Sequence, residues 1–214
     1  GWSVFQPQLA DFLRQLPTVQ SPRQVWRPTN GARSEGLQIP TQVNYVGKGA
    51  DLYRLGYEPD GSVDVILNHL RTSWLWEKIR VQGGAYGAFC LFNHHSGVFT
   101  HLSYRDPNLL DTLANFDAAA GYLRELDLSQ EELTKSIIGA IGDMDAYQLP
   151  DAKGLSSMAR YLAGDSEESR QLWREQILTT TAEDFHRFGE VLEVLKEQGR
   201  VVVLGSPEAI ARAN

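Results

Sequence analysis

Only one cysteine, Cys90, occurs in 214 residues. That excludes an internal disulfide framework and any cysteine-based zinc ribbon. Cys90 sits in "GAFCLF", apolar on both sides, and reads as a small buried hydrophobe rather than a nucleophile. Long apolar runs are missing too. None approaches the roughly 20 residues that a helix needs to cross a bilayer, so no membrane partner is expected. No charged segment followed by an apolar stretch opens the chain in the manner of a secretory signal. Basic runs are lacking as well: 20 Lys and Arg stand against 27 Asp and Glu, for a net charge of −7. Nucleic acid is therefore not expected as a partner. The acidic excess would tolerate basic peptides, and it would equally serve solubility alone.

Several catalytic signatures are also absent. There is no His-x-x-Glu-His or His-Glu-x-x-His, the spacings that put two metal ligands on one helix face. There is no Gly-x-Ser-x-Gly elbow. "GKGA" at 47–50 is not a phosphate loop, because Lys48 is not followed by Ser or Thr opening a helix. The glycines at 83, 84 and 87 follow a helix and enter a strand, the reverse of a dinucleotide-binding turn.

What is present reads as one globular core with an appendage. With 42% hydrophobic residues, the chain can bury one good core. It opens "GWSVFQPQL" without a methionine, so the natural start is expected elsewhere and the chain is expected to be a piece of something longer. Phe5, Leu9, Phe12, Leu13 and Leu16 share one helical face up to Pro17. Residues 21–40 are rich in Pro, Arg, Gly and Ser and read as a linker, with a short extended piece at Gln24–Pro28. The boundaries expected are a tail of a preceding segment plus linker at 1–35 and a domain at 36–214.

Within that domain, "LQIPTQVNYVGKGADL" alternates apolar and polar through Val43 and Tyr45, with a start as early as Leu37 and Ile39, and predicts one or two strands. Ser62 is a plausible N-cap for a helix whose stripe is Val63, Ile66, Leu67, Leu70 and Trp74, and which closes on Glu77, Lys78 and Arg80. "AYGAFCLFNHH" and "SGVFTHLSY" form a hairpin across "NHHSG", and "RDPN" is a turn. Helices follow: one over about 109–126, one opened by a Ser129 capping box, one from Pro150, one from Ser166, and one behind Thr180 and Glu183. "RVVVLGS" is a short, mostly apolar strand, hence central and covered. The order predicts an α+β fold, a mixed and largely antiparallel sheet with helices packed on one face.

Two clusters are candidate sites. His94 and His95 are adjacent in the expected turn, where their side chains should diverge, while His101 on the facing strand could approach one of them. Solvated turn residues are the alternative to a metal site there, and no metal ligand is expected in this chain. Arg80 and Tyr86 flank the double glycine. Arg80 could simply bond the last carbonyls of its helix, and Tyr86 could be a strand residue with a wet hydroxyl. Yet Ala85, Gly87 and Ala88 leave open floor around Tyr86. A tyrosine hydroxyl can donate to an oxyanion, and an arginine fork can hold a carbonyl or carboxylate.

"TSWLWEKIRVQGGAYGAFC", "GVFTHLSYRDPNLLDTL", "ELTKSIIGAIGDMDAYQLPDAKG" and "RYLAGD" resemble the C-terminal end of the presequence-protease branch of the pitrilysin/insulysin (M16) zinc metallopeptidases. The resemblance runs in one continuous order from about Thr41 to Ser206. It implies the fourth of four similar α+β domains, in two hinged halves around a chamber for unstructured peptides. It implies that Arg80 and Tyr86 are the arginine and tyrosine that the active site borrows from the C-terminal half. Tyr86 would steady the oxyanion formed on the scissile carbonyl, and Arg80 would hold the substrate backbone. The zinc and its general base would lie in the first domain, outside this chain, so the isolated chain should be inactive.

The partners implied are the zinc-binding N-terminal half, an unstructured presequence-like peptide and, for the isolated domain, a second copy meeting exposed apolar surface. The implied setting is a bacterial cytoplasm, a mitochondrial matrix or a plastid stroma. The alternatives are a non-catalytic partner subunit, or a peptide-binding module that uses a sheet edge.

Overall fold

The computed structural model describes residues 1–18, 22, 24–25 and 31–213. The chain divides into two compact units, 1–31 and 32–214. The first holds helix α1 (Trp2–Gln15), which buries none of its residues; Leu16 turns extended just before Pro17. The extended piece expected at Gln24–Pro28 falls largely outside the described residues.

The second unit is an α+β domain built on five strands: β1 (Ser34–Gln38), β2 (Asn44–Asp51), β3 (Gly87–Asn93), β4 (Val98–Asp106) and β5 (Arg200–Gly205). Their order across the sheet is β1-β5-β2-β4-β3. Only β1 and β5 run parallel; the other neighbours are antiparallel. The sheet is thus mixed and largely antiparallel, as the sequence predicts. β1 begins at Ser34, inside the stretch read as linker. All five of its residues are exposed, so no burial alternation marks it. It is held by main-chain pairing to β5, which returns some 160 residues later.

The helices of this unit are α2 (Ser62–Thr72), α3 (Leu110–Arg124), α4 (Gln130–Met144), α5 (Pro150–Ala163), α6 (Glu167–Leu178), α7 (Ala182–Gln198) and α8 (Pro207–Ala213). The side chains of Val46, Cys90, Phe99 and Val203 point from the sheet into the same buried cluster as Ile66 and Leu70 of α2, Phe116 of α3, and Phe185 and Leu192 of α7. The opposite sheet face carries Phe89, Leu91, Tyr104 and Val202 and is exposed. The mostly apolar β5 is therefore central but covered on one face only, since Val202 is left in the open.

Local chemistry sets the helix starts. Ser129 and Glu132 form the expected capping box. The second box falls one residue later than its sequence signal, on Thr181 and Asp184. Ser62 is not a cap: it is the first, buried residue of α2, and its N–H donates to the Asp60 carboxylate at 2.8 Å. α2 also stops short. Ser73 leaves helical geometry at φ −117°, ψ −85°, and Trp76–Gln82 then winds as a π-helix rather than an α-helix.

Two ionisable side chains, Lys48 and His101, lie under the sheet. Lys48 is buried, and its ammonium donates to Asp117 of α3 and to the Lys196 carbonyl of α7. Directly across the ladder from Lys48 is His101, fully buried. It is stacked on Phe116 and edge-on to Phe99. Neither of its ring nitrogens has a hydrogen-bond partner among the described residues.

Candidate active site

The double glycine lies between the π-helix and β3. π-helical turns are rare and concentrate at functional sites. Here the wider turn runs into a close: the Gly84 and Gly83 amides both donate to the Arg80 carbonyl, and the Ala85 amide reaches back to the Ile79 carbonyl at 3.1 Å. Gly84 has φ +76°, a left-handed conformation that glycine adopts without steric cost. At Gly83 a Cβ would stand 2.6 Å from the Ile79 carbonyl oxygen, so this position admits no side chain without a shift. Two glycines are needed for two different reasons.

Tyr86 follows at the head of β3 and is 68% exposed. Its amide donates to the Tyr104 carbonyl at 3.1 Å and more weakly to that of Arg105. Arg105, the one non-glycine residue with positive φ among the described residues, sits at φ 49°. That unfavoured geometry bends the end of β4 beside Tyr86. The Tyr86 ring packs edge-on against Tyr104, which packs edge-on against Tyr45. The row of rings fixes the phenol at its foot. The hydroxyl has no hydrogen-bond partner among the described residues, so it is free to donate.

Arg80 is exposed on the π-helix. Its guanidinium lies over the Trp76 ring, 4.1 Å from the centroid, a cation–π contact that holds the planar fork. No carboxylate pairs with it, and it bonds none of the helix carbonyls, among the described residues. The simpler reading of Arg80 as a helix-end cap therefore does not describe this side chain.

A second set of residues holds the turn, and the sequence pattern alone did not single it out. The Asn108 side chain donates to the Gly83 carbonyl at 2.6 Å. Asn108 is itself placed by Asp106, whose buried carboxylate accepts from the Asn108 amide at 2.9 Å and the Thr112 hydroxyl at 2.7 Å. Asn44 donates to the Asp106 carbonyl from β2. "RDPN" is thus more than a turn; it is the bracket under the double glycine. Replacing Asn108 by alanine is expected to lower the unfolding free energy of the domain by about 1–2 kcal/mol, the usual cost of leaving a partner such as the Gly83 carbonyl unmet. Urea denaturation of the two proteins checks this.

The histidines part company. His101 is buried on the inner face of β4 and cannot meet His94 or His95 in the β3–β4 turn. Those two do not diverge: their ring centroids are 3.9 Å apart. Both approach Asp165, which follows α5. Cys90 is buried, and burial pushes its thiol up to about 12, which suits a core residue and not a nucleophile. His69 is likewise structural. Burial lowers its pKa, and its ring meets the Tyr122 hydroxyl at 2.7 Å.

Comparison with known proteins places this chain in a family. Residues 34–207 match the family model described as the PreP C-terminal domain. "Presequence protease 1, chloroplastic/mitochondrial" of Arabidopsis thaliana is 52% identical over 210 residues, covering 98% of this chain and 19% of that protein. The mitochondrial presequence protease of Aspergillus oryzae is 31% identical over 200 residues, covering 92% of this chain and 19% of its own. The chain thus spans about a fifth of the length of these curated relatives. The crystal structure of pitrilysin shares the fold with a TM-score of 0.56 at 18% identity, over 80% of this chain and 19% of that one.

Proposed function

The chain belongs to the PreP C-terminal domain family, and from that premise we propose that it is the fourth domain of a longer zinc metalloendopeptidase that degrades unstructured, presequence-like peptides. In that protein Tyr86 donates a hydrogen bond to the oxyanion that forms on the scissile carbonyl, and Arg80 holds the substrate main chain beside it. The observation that carries this reading is the placing of two side chains, Arg80 and Tyr86, on either side of one rigid turn, neither with a hydrogen-bond partner among the described residues.

The division of labour follows from the donors present. A peptidase zinc needs ligands and a general base held together. The sole His/Asp/Glu cluster with metal-ligand spacing among the described residues is His94, His95 and Asp165, which includes no glutamate. These residues do not fit the peptidase centre, which supports a zinc and general base supplied by another part of the protein. Tyr86 and Arg80 then bind and orient, and the proton chemistry is done elsewhere.

Exposed apolar side chains support a packing partner for the domain. Ile138, Leu155 and Leu162 are each more than 60% exposed, and α5 buries none of its residues. The zinc-binding half of the same polypeptide is the partner that fits, and in its absence a second copy of this domain would meet the same surface. No helix among the described residues is long and apolar enough to cross a membrane. The names of the relatives support an organelle matrix or stroma as the setting, with a bacterial cytoplasm as the other.

The experiment is cleavage of a quenched fluorescent, unstructured peptide. The chain alone should give no turnover, with or without chelator. Adding the separately produced remainder of the protein should restore chelator-sensitive turnover. Cleavage by the chain alone would overturn the proposal. One observation favours a second reading: β3 is an edge strand, to which an extended peptide could add. That reading requires peptide affinity in the isolated chain that Tyr86→Phe leaves unchanged.

A further inference from the structure

His94 and His95 lie in the β3–β4 turn, and Asp165 lies 70 residues further on, just past α5. The His94 and His95 Nε2 atoms stand 3.9 and 3.4 Å from the two carboxylate oxygens of Asp165. One donor atom from each of the three residues lies within 4.8 Å of the others. A tetrahedral ion with bonds of about 2.0–2.1 Å sets its ligand atoms about 3.3 Å apart. The three groups are therefore close to a coordination shell before any ion enters.

Both sides of the cluster are fixed from outside it. The Asn93 side chain accepts from the His95 amide at 3.0 Å and the Ser96 amide at 3.1 Å. The Tyr53 hydroxyl bonds the His94 carbonyl, and the His94 ring leans on Trp173 of α6, 5.4 Å between centroids. On the other side, α5 ends on Gly164 at φ 82°, and the Asp165 amide closes back on the Arg160 carbonyl at 2.9 Å. His94 and Asp165 also line the wall of a cavity of about 630 Å³, so solvent and ions reach the site.

We propose that His94, His95 and Asp165 bind a divalent transition-metal ion, Zn2+ or Ni2+, which ties the end of α5 to the β3–β4 hairpin. Two imidazoles and one carboxylate suit a borderline ion, whereas Mg2+ and Ca2+ take oxygen shells. Water completes the coordination. The arginines on the same cavity wall do not forbid a cation, because most are matched: Arg71 by Asp143, Arg174 by Asp145 and Arg170 by Glu167. The consequence falls on α5. It buries no side chain and is otherwise held weakly, so a metal bridge at its end would be a disproportionate part of its anchorage.

Titration calorimetry of ZnCl2 and NiCl2 into this 214-residue chain tests the proposal without any peptidase assay, so the result is independent of the function proposed above. One equivalent should bind and raise the Tm. His95→Gln and Asp165→Asn, both exchanges of similar shape, should each weaken binding by more than the roughly 10-fold that losing even an outer partner of a ligand costs. His186→Ala, on α7, should leave it unchanged. Absence of binding, which would leave only a histidine–carboxylate ion pair, would overturn the proposal. So would binding that the His95 and Asp165 variants leave unaltered, or that His186→Ala reduces.

Discussion

In the longer peptidase of which we propose this chain to be part, Tyr86→Phe is expected to lower kcat for an unstructured peptide by about 10²–10³-fold, the usual cost of one lost oxyanion donor, and to leave KM nearly unchanged. The substitution removes one oxygen atom. The ring that packs against Tyr104 remains, as does the amide bond to the Tyr104 carbonyl, so the turn and the head of β3 should not move. Because the hydroxyl has no hydrogen-bond partner among the described residues, its loss leaves no described group unsatisfied, and the variant should melt with the parent. The effect should therefore appear in the transition state alone: kcat and kcat/KM fall together, which is the signature of an interaction absent from the ground state. A variant that instead raised KM at constant kcat would make Tyr86 a binding residue. The measurement is steady-state kinetics beside a melting curve.

The second large effect concerns stability and lies at His101. Burial, aided by the cation of Lys48 across the ladder, depresses its pKa from 6.5 to about 3. The folded protein thus keeps the ring neutral where the unfolded chain protonates it. Between about pH 6.5 and 3 the unfolded state binds more protons, so stability rises with pH in that window. This contribution is fully present above pH 6.5 and drains away as the solution is acidified. From pH 6.5 to 4 it amounts to about 3 kcal/mol at about 1.4 kcal/mol per pH unit. His101→Leu should abolish it. At pH 7 the leucine variant should be at least as stable as the parent, since two buried nitrogens without partners are removed. Urea unfolding at pH 7, 5 and 4 should show the parent losing more stability than the variant. Parallel losses would mean that the ring titrates in the fold as it does in the open chain.

Much of the fold was legible because its determinants are local. The Ser129 and Glu132 box, the "NHHSG" hairpin and the apolar run of β5 each announce an element within a few residues. β1 was legible only at its end, through the alternation at Leu37, because it has no buried face and is selected by pairing with a strand far along the chain. The π-helix was hidden because its sequence continues the apolar rhythm of α2, and only the break at Ser73 and the closure onto Arg80 distinguish it. The site divides in the same way. Arg80 and Tyr86 could be singled out from their spacing around two glycines and from the family resemblance. Trp76 under the guanidinium and Asn108 under Gly83 act through contacts that no motif records. Asp165 could not be joined to His94 and His95 from sequence at all, since the tertiary fold alone brings a residue 70 positions away to the turn.

The proposed oxyanion role of Tyr86 is tested most directly by the affinity of the longer protein for a phosphinic peptide, whose charged oxygen stands in for that oxyanion. The inhibition constant should rise in Tyr86→Phe by the same factor by which kcat/KM falls, while the affinity for an uncleaved substrate analogue stays constant. An unchanged inhibition constant alongside a large loss of rate would contradict the account, because the phenol would then act on something other than the charge that develops during the reaction.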